Sequence, residues 1–115
     1  MKRTLAILAV AALAAGVFAV SGSAAGDATK GKLLYTRACQ KCHAVDGNGM
    51  AAIAKALKVE LKPLGGEEVQ KKTDAELKKD ITEGTGKMQK VAGLSEQDVA
   101  DIISYVRTFA KKDAK

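Results

Sequence analysis

Residues 39–43 read Cys39-Gln40-Lys41-Cys42-His43, and they hold both cysteines and the single histidine of this 115-residue chain. Two thiols three positions apart share one turn of a helix, so both reach the same edge of a flat ligand. The adjacent imidazole then aims a nitrogen at that ligand's centre. This Cys-x-x-Cys-His spacing is the one used for covalent haem c attachment. The two thiols become thioethers on the porphyrin vinyl groups, and His43 takes the proximal axial position on iron. Rival chemistries fit less well. A structural zinc site needs four ligands, and the chain offers two thiolates and one imidazole. A thioredoxin-like pair sits between a strand and a helix, and no strand-like run precedes Cys39. A disulfide across two intervening residues closes too short a loop to stabilise much.

The first 25 residues read as a cleaved signal peptide rather than as part of the fold. Lys2 and Arg3 form a basic start, Leu5 to Val20 is apolar, and Ser21-Gly22-Ser23-Ala24-Ala25 supplies small residues for cleavage after Ala25. Left uncleaved, the same stretch is at the short limit for a membrane anchor. Residues 26–115 then form one small domain, with no membrane span expected in it. Its only aromatics are Tyr35, Tyr105 and Phe109, and the chain has no Trp. So small a core is underfilled by its own side chains, and a haem would supply the missing apolar mass.

An iron with one histidine has a second axial position to fill. Met50 and Met88 are the methionines left once Met1 departs with the leader. Met50 follows His43 so closely that a short loop would have to swing it around the haem edge. Met88 lies beyond an intervening helix, in the loop Thr85-Gly86-Lys87-Met88, and is the preferred distal ligand. Met50 is expected to pack within its own loop.

The elements that position these groups are helical. From Asp27 to Cys42, Gly31, Leu34, Tyr35, Ala38, Cys39 and Cys42 fall on one helical face, with Asp27 as N-cap. Asp46-Gly47-Asn48-Gly49 reads as a loop, Ala51 to Val59 as a short helix, and Lys62-Pro63-Leu64-Gly65-Gly66 as a breaker. Thr73-x-x-Glu76 is a capping box opening a helix that Gly84 closes with a left-handed stop. Ser95-x-x-Asp98 starts the last helix, whose apolar face runs through Val99, Ile102, Ile103, Val106, Phe109 and Ala110. No alternating pattern indicates a strand, so the fold class is all-α.

These residues together resemble a small class I cytochrome c, of the bacterial and algal type. The resemblance covers Ala28 to Phe109. It rests on Gly31-x-x-x-Tyr35-x-x-x-Cys39-x-x-Cys42-His43, on Gly84-Thr85-Gly86-Lys87-Met88, and on Leu94-Ser95-x-x-Asp98 followed by Ile102-x-x-Tyr105. It implies three to four short helices wrapped around one covalent haem. It also implies that the terminal helices cross where Gly31 and Tyr35 meet Ile102 and Tyr105. One departure stands out. Many members place a proline soon after the histidine, near the carbonyl that accepts the imidazole N–H, and here none occurs between His43 and Pro63.

The expected function is one-electron transfer between redox proteins, with low-spin iron held by His43 and Met88, in the periplasm and as a monomer. No enzymatic activity is expected. A haem enzyme or gas sensor would need an open sixth position with polar groups beside it; a third role is the electron-entry subunit of a larger complex. Removing Lys2 and Arg3 lowers the formal charge from +6 to +4. The lysines are dispersed without aromatic interleaving, which excludes a nucleic-acid footprint. Lys41, Lys87 and Lys90 lie near the motif and the methionine loop, where they would dock acidic redox partners.

Overall fold

The computed structural model describes residues 26–113. The signal peptide expected over residues 1–25 lies outside them. Asp27 caps the first helix as expected: its carboxylate accepts the Thr29 and Lys30 N–H groups at 2.8 and 3.2 Å. Helix α1 spans Ala28–Ala38. The single helix expected as far as Cys42 is interrupted at Cys39, whose φ of −116° opens the turn. One further turn, α2 (Gln40–His43), then follows.

Helix α3 (Ala51–Leu57) stops where Lys58 turns left-handed at φ 54°. The single turn α4 (Glu67–Gln70) follows the Pro63 breaker; no apolar repeat announces it. Helix α5 (Asp74–Glu83) opens in the expected capping box, with Thr73 and Glu76 each bonded to the other's backbone N–H. Gly84 ends it at φ 82° but ψ 167°, so the chain leaves extended rather than through a left-handed helical stop. Helix α6 (Glu96–Asp113) starts with the reciprocal Ser95 and Asp98 bonds, both 3.0 Å. Among the described residues the only β pairing is an isolated Thr85–Met88 bridge. The fold is all-α, with α1, α3, α5 and α6 longer than a single turn.

The core sits where α1 crosses α6. Gly31 is buried at the contact, and a Cβ built there would lie 1.9 Å from the Asp101 carbonyl oxygen. The two backbones therefore touch in a way only glycine permits. Around this point Tyr35, Val99, Ile102 and Phe109 are almost wholly buried. Each large aliphatic or aromatic side chain so buried is worth about 1.5–3 kcal/mol. The three aromatics form a triangle of edge-on contacts, with centroids 5.1–5.5 Å apart, a geometry that suits the ring quadrupoles. Leu77 and Ile81 bring α5 onto α6. Arg107 ties the α4–α5 link to α6 by donating to the Gln70 and Lys72 carbonyls at 3.0 and 2.6 Å and to Asp74 at 2.7 Å.

Asp101 is buried against the start of α1, at 3% exposure. Its Oδ1 accepts the Asp27 N–H at 2.8 Å and the Gln97 amide at 2.9 Å. The backbone bond from Asp27, then the Gln97 bond, hold its carboxyl below the usual carboxylate range. One side chain thus joins the start of α1 to α6.

Two predictions follow from this packing. Gly31→Ala will destabilise the protein by about 2–3 kcal/mol, since overpacking a close contact outweighs the gain in helix propensity of about 1 kcal/mol; thermal unfolding followed by circular dichroism measures it. Asp101 contributes stability that is full above its unfolded pKa of about 3.9 and is lost as pH falls through the lower folded value. Asp101→Asn will therefore flatten the acid limb of the stability–pH curve, read from denaturant midpoints between about pH 2 and 5.

Candidate haem site

The motif occupies the turn after the Cys39 break. The Cys39 N–H still bonds back to the Tyr35 carbonyl at 2.8 Å, so the first thiol is carried by α1. The Cys39 carbonyl accepts the Cys42 and His43 N–H groups at 3.2 and 3.0 Å, which closes one helical turn over the five residues. Both cysteines are free thiols, Cys39 buried and Cys42 half-buried. Burial, and then neighbouring Cys42, push the Cys39 thiol up to about 11. A thioredoxin-like pair needs a lowered thiol pKa, so this environment opposes that reading.

His43 is half-buried, and burial lowers its pKa. The imidazole is therefore neutral at neutral pH, with a lone pair free for a metal. Its Nδ1 is fully enclosed and has no hydrogen-bond partner. No backbone carbonyl of the loop that lacks the usual proline takes the place of that acceptor.

The loop after the motif folds back onto it. The Met50 N–H bonds the Cys42 carbonyl at 2.8 Å, and the Gly49 N–H bonds the His43 carbonyl at 2.9 Å. The Ala44 carbonyl accepts the Gly47 N–H at 3.3 Å and the Tyr35 hydroxyl at 2.5 Å. Ala44 itself has φ 66° and ψ 168°, a conformation nearly restricted to glycine. The Tyr35 hydroxyl bond is absent from any sequence reading: its acceptor belongs to a loop whose path only the fold reveals.

Met88 sits at the end of a tight turn. Thr85 and Met88 exchange N–H to carbonyl bonds of 3.0 and 2.8 Å around Gly86, at φ 55°, and Lys87. The Val91 N–H bonds the Ile81 carbonyl at 2.8 Å and pins the loop to the end of α5. Met88 is half-buried beside an open cleft of about 600 Å³ lined by its own loop. Met50, the rival, lies just before α3 and is 42% exposed. Instead of packing within its loop as expected, it leaves much of its side chain exposed while its backbone N–H is held by the Cys42 carbonyl.

The packing around these groups is one-sided. Among the described residues, every fully buried apolar side chain lies in α1, at Cys39, or in α5 and α6; from Ala44 to Glu76 only Leu64 and Val69 pack against that core, partly buried. Helix α3 makes no extensive contact with any other helix. Val45, Met50 and Leu57 are left 67%, 42% and 40% exposed. Two thiols, an unpaired buried imidazole nitrogen and the exposed apolar side chains of Val45, Met50 and Leu57 suit a large flat apolar group with a metal at its centre. The residues present fit a haem.

The cytochrome c family profile matches residues 28–110. The chain belongs to the cytochrome c family. This cytochrome c is similar to a solved structure, the KustC0563 c-type cytochrome, with 30% sequence identity and a TM-score of 0.58 over 69% of this chain and 95% of that one. No curated protein sequence matches. Family membership makes this a class I c-type cytochrome: an electron-transfer protein rather than an enzyme, whose cofactor is covalently bound haem c with its iron. Among the described residues, no helix of this cytochrome c is long and apolar enough to cross a membrane.

Proposed function

We propose that this cytochrome c is an exported, periplasmic, monomeric one-electron carrier with a single haem, whose iron is held by His43 and Met88. The observation that carries the reading is the single turn from Cys39 to His43, which brings together two free thiols and a neutral imidazole at the end of α1. Bound haem c supplies a reversible ferric–ferrous couple. Cys39 and Cys42 hold the porphyrin by thioethers, and because Cys39 is carried by α1 the attachment is rigid. His43 would hold the iron through its imidazole, and Met88 would supply a second ligand, a soft sulfur that favours the reduced form. With both ligands drawn from the chain, the iron would be left no position for a substrate.

The leader, residues 1–25, supports export, and with its removal the domain is residues 26–115. Charge supports an acidic partner. All the ion pairs among the described residues join positions between 60 and 107. Lys32, Arg37, Lys41, Lys55, Lys58, Lys87 and Lys90 are exposed and enter none of them. Such uncompensated cations steer association more than they strengthen the complex.

Mass spectrometry of the mature exported protein will show one added haem, with cleavage after Ala25. The purified protein will give a low-spin spectrum in both oxidation states. Met88→Ala will lose the sulfur-ligated form, lower the midpoint potential and bind carbon monoxide when reduced, whereas Met50→Leu will do none of these; rapid carbon monoxide binding by the unmodified protein would instead favour a sensor or enzyme. Replacing Lys41, Lys87 and Lys90 with Gln will slow electron transfer to an acidic partner roughly tenfold at low salt. That difference will vanish near 1 M salt, where the Debye length is about 3 Å; stopped-flow rates against ionic strength measure it.

A further inference from the structure

Tyr35 takes part in two arrangements at once. Its ring is 1% exposed and packs edge-on against Tyr105 and Phe109, with centroids 5.2 and 5.5 Å away. Its hydroxyl leaves that apolar packing and donates to the Ala44 carbonyl at 2.5 Å. Ala44 directly follows His43 and carries the one backbone conformation in this loop, φ 66° and ψ 168°, that an alanine strongly resists. The carbonyls of Cys42 and His43 are held by backbone N–H groups alone, at 2.8 and 2.9 Å. At Ala44 the backbone bond from Gly47 is long, 3.3 Å, and the phenol is the shorter partner. The imidazole has no tether of its own, because Nδ1 is enclosed without an acceptor. Its orientation is therefore inherited from the backbone that leaves the motif. Burial raises the Tyr35 phenol above its ordinary range, so the hydroxyl keeps its proton and is a constant donor.

We propose that Tyr35 is a positioning residue for His43: its hydroxyl holds the strained Ala44 carbonyl and so sets the plane of the imidazole toward the haem. This rests on His43 being the proximal ligand, as proposed above. The role usually given to a hydrogen bond on the ring nitrogen is here transferred to the main chain and to a side chain of the α1–α6 core. A phenylalanine would keep the ring packing and lose only the tether.

The test uses the mature holoprotein with Tyr35→Phe, Ala44→Gly and the double substitution. The readout is the spread of the four haem-methyl proton shifts in the ferric state, which follows the imidazole plane, measured beside the thermal midpoint. Tyr35→Phe is expected to redistribute the four shifts. In the Ala44→Gly background, where glycine adopts the turn unaided, the same substitution is expected to move them less; this coupling marks a shared pathway. If Tyr35→Phe lowers the thermal midpoint and leaves the shifts unchanged, Tyr35 only packs, and the proposal is overturned while the ligand reading stands. Equal redistribution in both backgrounds also overturns it. A haem-free unmodified protein overturns the ligand reading and this one together.

Discussion

Helices α1 and α6 meet backbone against backbone at Gly31, and the rest of the molecule is arranged around that contact. A side chain at this position would collide with the Asp101 carbonyl. Close approach brings Tyr35, Tyr105 and Phe109 into mutual edge-on contact. It also lets Asp101 reach across to the Asp27 N–H, which anchors the start of α1. Because α1 carries Cys39 at its end, the crossing determines where the motif stands. Position in the site is thus inherited from packing some turns away.

The other half of the protein is built on a different principle. From Ala44 to Glu76 the chain supplies loops, one turn and a two-turn helix, yet fully buries no apolar side chain. Backbone bonds hold the start of this region to the motif, where Cys42, His43 and Ala44 each present a carbonyl to an N–H a few residues ahead, and the partly buried Leu64 and Val69 pack the rest against the core. A prosthetic group supplied by the family's chemistry completes the core that so small a chain cannot build from its own residues.

Much of this was legible in the residues themselves. The capping boxes at Thr73 and Ser95 stated where α5 and α6 begin, because reciprocal side-chain bonds are a local matter. The apolar periodicity of α6 named its buried face, and Gly31 with Tyr35 named the crossing. Four things were not legible. The break at Cys39 does not show in a face pattern that runs through it unchanged. Helix α4 is too short to display a period. Asp101 reads as a solvated acid beside an apolar stripe, since its partner, the Asp27 N–H, lies at the other end of the domain. The same reason hides the Tyr35 hydroxyl bond. Contacts between distant segments depend on the fold, and local patterns carry no record of them.

The bond from Asp27 to Asp101 joins residues 74 positions apart, and that span imposes an order of events. A ribosome or a translocation pore releases the chain from its first residue onward, so the two thiols emerge long before α6 exists to cover them. No local segment can close the core in that interval, because loops of such length close only when both ends are available. Until the final helix arrives, the cluster that buries Cys39 lacks Val99, Ile102, Ile103, Val106 and Phe109.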